Sequence, residues 1–310
     1  MADRVPADMK YPKYFTEAAL DVSNVLLGLT ALLLYLRHQK KSKLFGTFPL
    51  YICLCILFSA ISAEHYIRNI LLLYSLPTYD LGRSWVVMKV IYAGYFTYVA
   101  GAALALDRVL AMSFPLRHQS WNLSLKLSIL SAVLCLLTAC ATVVSNAIQS
   151  MDCPLCIHSG LFNHSTTSFK IYDFTHGFYE VVFAAEVIVD LVFCAFFYRH
   201  FRNPITVFSK RHFRKVASST LHSICRVQIN AVTLFQIASQ SALCLVPKIL
   251  NNINKIFLGE SVEWIRIYYS FYFFLYSINI TFVLCFVVYR YRPIRTVLPI
   301  SYNSHPTVNT

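Results

Sequence analysis

An acidic residue followed directly by an arginine, Asp107-Arg108, stands at the end of an apolar run that begins near Trp85 and is long enough to cross a bilayer. Such a pair can form a charge-assisted contact that restrains the arginine until its surroundings change. Pro115 and several basic residues follow within a few positions, so the helix should leave the membrane, turn and lie on its surface. The pair is therefore expected at a membrane boundary.

A second set of ionisable residues lies inside apolar segments. Glu186 and Asp190 are four residues apart, which places them on one face of a helix. A charge at the bilayer centre costs about 2.5–3.5 kcal/mol on insertion scales, so these carboxylates should face the bundle interior. Lys89 and Arg266 are candidate partners, with snorkelling toward a membrane surface as the alternative for both.

Polar and aromatic residues converge in one half of the predicted bundle, which is the usual composition of a small-molecule site. Aromatic side chains also fill the cores of membrane proteins, so packing is the alternative for each residue. The candidate ligand-binding residues are Glu64, Lys89, Tyr92, Tyr95, Phe96, Glu180, Glu186, Gln236, Gln240, Arg266 and Tyr269.

The elements that must position these residues are long apolar segments. The chain of 310 residues is 57% hydrophobic and 13% charged, whereas a soluble protein carries about 25% charged residues. We therefore expect an all-α membrane protein that folds as one domain, a seven-transmembrane helix bundle. Residues 1–15 precede the first helix and 290–310 form a tail; the segments lie near 16–36, 47–73, 85–106, 122–147, 174–198, 227–247 and 264–289.

The distribution of charge predicts the topology of the bundle. Most of the 27 Lys and Arg residues fall in connections on one side, and Asp107 is the only one of 14 acids there. Positive charge is retained in the cytoplasm, so the N-terminus is predicted outside and the C-terminus inside. The net charge of +13 is then explained by topology and anionic lipids, and no nucleic-acid partner is expected.

Cysteines and one glycosylation motif characterise the predicted outer face. Cys153 and Cys156 could form a local disulfide, or one of them could pair with Cys244, and the sequence cannot choose. A zinc site with His158 is a further alternative. Asn163-His-Ser165 is a plausible glycan site because it lies in a predicted outer loop.

The stretch Asp107-Arg108-Val109, followed by Ala111 and by Pro115-Leu-Arg-His118, resembles the Asp-Arg-Tyr segment of rhodopsin-like G-protein-coupled receptors, with Val109 in place of the tyrosine. Several other features of those receptors are missing, including the aspartate of the second helix, near Ser59 and Ser62 here. The chain looks like a divergent branch, most similar to nematode serpentine chemoreceptors. The resemblance implies a small extracellular ligand, a heterotrimeric G protein as partner and a plasma-membrane location, in a sensory cilium if the receptor is chemosensory.

The same resemblance implies a coupling surface and a switch. A basic run in the third inner connection would contribute to coupling, with lipid contact as its alternative. The foot of the sixth segment lacks the acid that often restrains the arginine, which suggests raised basal activity. The coupling and switch residues are Asp107, Arg108, Val109, Pro115, Lys210, Arg211, Arg214 and Lys215.

Two other classes of membrane protein compete with this interpretation. A small-solute transporter would show internal repeats and helices interrupted by Gly or Pro, whereas this chain has only 8 Gly and an odd number of predicted segments. An integral membrane hydrolase would need clustered His and Asp residues, and the histidines are scattered over both predicted faces. We therefore expect neither an enzyme nor a cofactor.

Overall fold

A computed structural model describes residues 7–38, 46–74, 83–152, 167–202, 220–246 and 263–291. These residues are helical apart from short turns, and none of them forms a strand. The helices are α1 (Ala7–His38), α2 (Thr47–Leu73), α3 (Arg83–Ser113), α4 (Pro115–Ser120), α5 (Leu123–Asp152), α6 (Thr167–Arg202), α7 (Thr220–Gln240) and α8 (Glu263–Tyr291). A π-helical turn, Ser241–Leu245, continues α7.

Six of the described helices are long and apolar enough to cross a membrane. These candidate spans lie in α1, α2, α3, α5, α6 and α8, at Pro12–Arg37, Thr47–Leu71, Tyr92–Ser113, Leu123–Ala141, Val181–Arg199 and Phe274–Tyr291. The prediction of an all-helical membrane protein is confirmed at this level. The sixth predicted segment is also helical, in α7, but this helix is too polar to be counted with the six.

The packing order places α3 at the centre of the bundle. α1 lies against α2 and α8, α2 lies against α3, and α3 contacts α5 and α6. α7 and its π-helical turn pack on α8. Ionisable side chains on α3 can therefore meet groups from helices that are far apart in the sequence.

The end of α3 lies further along the chain than the end of the apolar run. Asp107 and Arg108 are inside the helix, which continues to Ser113 because Leu104–Met112 contains strong helix formers. The break comes at Phe114, and Pro115 begins α4, where its missing amide hydrogen is no loss. The charge pair therefore sits about two turns before the helix ends.

Gly28 on α1 lies where three helices pack closely together. A Cβ atom at this position would collide with the Ile56 side chain of α2 and would lie 3.6 Å from Leu284 of α8. Gly177 on α6 has no heavy atom within 4 Å of the same hypothetical Cβ. The two glycines therefore offer a matched pair for testing the packing.

We expect Gly28→Leu to lower the free energy of unfolding by about 1–3 kcal/mol, because the added side chain overpacks the junction. Gly177→Ala should leave stability unchanged or raise it by up to about 1 kcal/mol through helix propensity. Equilibrium unfolding of the two variants in mixed detergent micelles measures both. Equal effects would contradict the close packing of α1 on α2.

Candidate functional site

Asp107 is the centre of a polar network that joins four helices. Its carboxylate is fully buried and accepts a hydrogen bond from the Thr47 hydroxyl of α2 at 2.9 Å. The His118 ring of α4 contacts the other carboxylate oxygen through Nε2 at 2.7 Å. Thr47 in turn donates its backbone N–H to the Ser124 hydroxyl of α5 at 3.4 Å. One acidic side chain thus ties α2, α3, α4 and α5 together at one end of the bundle.

Arg108 is paired with the same carboxylate. Its guanidinium Nη2 forms an ion pair with Asp107 Oδ2, and the side chain is buried. Its Nε atom has no hydrogen-bond partner within the described part of the chain. Among the described residues Arg108 is therefore held by one charged contact. Loss of that contact would leave its charge free to move or to meet another group.

The turn between α3 and α5 brings His118 back to Asp107. Residues 115–120 form one and a half turns of helix, which places His118 eleven positions after Asp107 at contact distance. Asn122 then adopts a positive φ of 48° before α5 begins. Asparagine tolerates this left-handed conformation better than most residues. The predicted turn after Pro115 therefore also brings a side chain to the Asp107–Arg108 pair.

A second polar cluster lies deeper in the bundle, around Gly101 of α3. A Cβ atom at Gly101 would collide with Glu186 Oε1 of α6 and lie 3.0 Å from Gln236 Nε2 of α7. Glu186 and Gln236 are each 1% exposed. Gln236 donates to Gln240 Oε1 at 3.5 Å, and Gln240 also lies within interaction range of the Glu186 carboxylate. We call Gly101, Glu186, Gln236 and Gln240 the central cluster.

Several polar atoms of the central cluster have no hydrogen-bond partner among the described residues. Neither oxygen of Glu186 closes a hydrogen bond within the described residues, and the same holds for Gln236 Oε1. Asp190, one turn further along α6, has one oxygen without a hydrogen-bond partner among the described residues and adds a second carboxyl group close by. Buried polar groups are normally paired, so unpaired ones at a helix junction point to a functional constraint.

Aromatic side chains lie next to the central cluster. Tyr98 of α3 contacts Phe183 of α6 and Tyr276 of α8 edge to face, with ring centroids 5.3 Å and 5.5 Å apart. Phe58 of α2 packs on Tyr276 at 5.0 Å, and the Tyr276 hydroxyl is hydrogen-bonded to Thr97. These rings form a packed layer that connects α2, α3, α6 and α8.

The structure brings only some of the predicted ligand-binding residues together. Glu186, Gln236 and Gln240 meet in the central cluster, whereas Tyr92 and Phe96 pack in a separate group with Val99 and Cys135. Tyr95 borders both groups of aromatic residues, and Glu64 is exposed on α2. The side chains of Lys89, Glu180, Arg266 and Tyr269 lie outside the described residues.

Several other predicted residues also fall outside the described part of the chain. They are Cys153, Cys156, the side chain of Cys244, Asn163, Lys210, Arg211, Arg214 and Lys215. Of the remaining switch residues, Val109 is buried against Phe193 and Ile237, and Pro115 is exposed at the start of α4.

Sequence reasoning gave no role to Thr47, His118 or Gly101. Thr47 lies 60 residues from Asp107, and no local pattern connects the two positions. His118 lies within the stretch that carries the resemblance. The helix break at Pro115 could have indicated that the chain turns there and brings His118 back to Asp107. Gly101 could not be singled out because its role depends on side chains from α6 and α7.

Two buried acids of α1, Glu17 and Asp21, were also missed. They are 1% and 0% exposed, and Asn24 lies one turn further along the same helix face with no exposure. The spacing of 17, 21 and 24 is the period of one helix stripe, so a check of the first apolar segment for polar periodicity would have found them.

Comparison with known proteins identifies no relative of this chain. The chain matches no protein-family model, and no curated protein sequence is significantly similar to it. The two polar clusters are therefore the features of this chain that bear on its function.

Proposed function

We propose that this chain is a G-protein-coupled receptor, divergent from the rhodopsin-like type and of chemosensory class. A small ligand would bind in the outer half of the bundle, and a heterotrimeric G protein would dock at the end that carries Asp107 and Arg108. The proposal includes seven spans, with α7 as the sixth, an extracellular N-terminus and a cytoplasmic C-terminus. The observation that carries it is the buried Asp107–Arg108 pair, tied to α2, α4 and α5 by Thr47, His118 and Ser124.

This network has the properties that a two-state switch needs. Arg108 is buried and depends on a single carboxylate, which itself depends on groups from other helices. A shift of α3 relative to α2 or α4 would break the Thr47 or His118 contact, whereas the ion pair lies within α3. Arg108 would then reach the partner by exchanging Asp107 for an acceptor on the G protein. Ligand binding can bias such an equilibrium only if the ligand contacts the two states differently.

The central cluster supplies a place where such a bias could arise. It joins α3, α6 and α7 about two helical turns from Arg108 along α3. Its unpaired oxygens would gain partners from a ligand, or from a rearrangement that a ligand induces nearby. α3 provides a rigid connection between the cluster and the switch, which is the physical basis we propose for coupling.

The test is a ligand screen in cells with a G-protein readout, repeated on Arg108→Ala. We expect the response to an active ligand to fall about tenfold or more in the variant at equal surface expression, because the released arginine is the proposed contact for the partner. Arg117→Ala, a change at another basic residue near the same end of the bundle, is the matched control and should retain the response. A full response from Arg108→Ala would remove the proposed switch.

A transporter is the second candidate, and a specific observation favours it. Glu17, Asp21, Glu186 and Asp190 are buried in membrane-spanning helices, and such acids often mark ion or proton pathways. Uptake assays with reconstituted protein discriminate the two proposals. Substrate accumulation that depends on an ion gradient, without any G-protein signal, would favour transport.

A further inference from the structure

Two carboxyl groups, one turn apart on α6, are buried in the middle of the helix bundle. Glu186 is 1% exposed and Asp190 is 9% exposed. Their spacing of four residues places them on the same face of α6. Both Glu186 oxygens and Asp190 Oδ1 lack a hydrogen-bond partner among the described residues. Acceptor atoms are therefore in excess at this place.

The amide side chains next to the pair supply few donors. Gln236 Nε2 of α7 donates to Gln240 Oε1 at 3.5 Å, so this amide nitrogen is already engaged. Gln236 Oε1 is a further acceptor without a partner in the part of the chain described, and its side chain is 1% exposed. One additional hydrogen atom on a carboxyl oxygen would give this group of acceptors a donor.

The place where these side chains meet is closed by helix packing. A Cβ atom at Gly101 of α3 would collide with Glu186 Oε1 and lie 3.0 Å from Gln236 Nε2, so the carboxyl group lies directly on the α3 backbone. Tyr98 and Phe183 precede Gly101 and Glu186 by three positions in their helices, and their ring centroids are 5.3 Å apart. This ring contact covers the carboxyl group one turn away and excludes water while α3 and α6 stay packed.

No positive charge offsets the pair within the described residues. The ion pairs described there involve Asp107, and neither Glu186 nor Asp190 takes part in one. Every basic residue of α3 and α7 lies about two turns or more from the cluster along its helix. α5 contains no charged residue between its first and last turns. The other titratable groups near the pair are the Tyr51 phenol and the Cys194 thiol, which are neutral near pH 7. Two buried carboxylates so close together would repel strongly.

We propose that Glu186 and Asp190 together hold one proton in the packed bundle and release it when α3, α6 and α7 move apart. The proton leaves the pair with one negative charge instead of two, and the neutral carboxyl group becomes a donor for Gln236 Oε1 or for the other carboxylate. On opening, the O–H bond breaks, its electron pair stays on the carboxylate and a water molecule takes the proton. The conformational equilibrium then depends on pH, whether the chain signals or transports.

Infrared spectroscopy of the full chain in detergent detects this proton directly, because a protonated carboxyl group and a carboxylate absorb at different frequencies. Near neutral pH, Glu186→Gln combined with Asp190→Asn should remove a protonated-carboxyl band equivalent to about one group per molecule. Glu64→Gln, a matched change at an exposed residue of α2, should leave the band unchanged, because an exposed acid is ionised at this pH. The measurement needs no ligand and no G protein, so its failure would leave the receptor proposal standing.

The pH dependence of stability counts the same proton independently. The folded pair holds a proton that the unfolded chain releases, so the free energy of unfolding should fall as the pH rises from about 6 to about 8. The slope should be steeper in the parent than in the double variant, by the equivalent of about one proton. Glu64→Gln should follow the parent.

An unchanged infrared band in the double variant, or pH curves parallel to those of the parent, would overturn the proposal because both groups would then be ionised. Loss of two groups would also overturn it, because both would then be neutral. If the double variant does not fold, Gly101→Ala decides. Its added methyl group displaces Glu186 Oε1 and should shift the band, whereas Gly177→Ala, which meets no atom within 4 Å, should not. An unshifted band in folded Gly101→Ala would contradict the assignment.

Discussion

Asp107→Ala is expected to lower the free energy of unfolding by about 3–5 kcal/mol, because it leaves the buried Arg108 guanidinium without its counter-charge. The same change removes the acceptor of the Thr47 hydroxyl and the partner of the His118 ring. The measurement is equilibrium unfolding of the purified protein in mixed detergent micelles. Few single substitutions in this chain should have a larger effect.

Three further variants show whether the unpaired charge causes the loss. Thr47→Val and His118→Ala each remove one neighbour of Asp107, so each should cost about 1 kcal/mol. Asp107→Ala combined with Arg108→Ala should be less destabilising than the sum of the two single changes, because the two residues interact directly. Additive effects, or a loss below about 0.5 kcal/mol in Asp107→Ala, would contradict a functional ion pair.

Glu186→Gln is expected to separate stability from signalling. The glutamine keeps the shape of the side chain and removes a carboxylate that closes no hydrogen bond among the described residues. Because a neutral amide costs less to bury than a carboxylate and can donate a hydrogen bond, the variant should unfold at the same temperature as the parent or at a higher one. The response to an active ligand should fall at least about tenfold. Such a variant would gain stability and lose function, because a group that destabilises the fold is needed for activity.

The control for this experiment is Asn279→Ala. Asn279 is also buried on a helix of the bundle, but its side chain is paired with the Ser239 hydroxyl at 2.6 Å. Its truncation loses this hydrogen bond and opens a cavity at a buried position, although the Ser239 hydroxyl keeps the Gln236 backbone carbonyl as an acceptor. We therefore expect lower stability, the opposite sign from Glu186→Gln. A clear loss of stability in Glu186→Gln would show that the carboxylate has a structural partner. An unchanged ligand response would remove the central cluster from the signalling route.

Part of this architecture was predictable from the sequence. Apolar runs of about 20 residues identify spans because an unpaired backbone cannot be tolerated in lipid, so helices α1, α2, α3, α5, α6 and α8 were expected. The third segment was predicted to end near residue 106, because the charged residues Asp107 and Arg108 indicated a membrane boundary. In the structure they satisfy each other, and the helix runs on to Ser113. Charge alone therefore marks a helix end poorly where the charges are paired.

The candidate sites were harder to predict than the helices. Glu186, Gln236 and Gln240 could be proposed as neighbours because polar residues in a membrane face the bundle interior. Nothing in the sequence indicated that Tyr92 and Phe96 point to a different group of side chains, since this depends on the rotation of α3. The contacts of Asn24 on α1 with Ser277 and Thr281 on α8 join residues separated by 253 and 257 positions in the chain, so no local pattern predicts them.

The polarity of α7 has a consequence for how the chain reaches its folded state. Ser239 is paired with Asn279 of α8, Gln240 lies near Glu186 of α6, and Gln236 packs against Gly101 of α3. An isolated α7 lacks these neighbours. On the proposed seven-span topology, integration of this segment would depend on helices already in the bilayer and on α8, which is synthesised after it. Biogenesis would follow a cooperative route in which the last third of the chain is inserted as a unit, and early termination would leave α7 without a stable place.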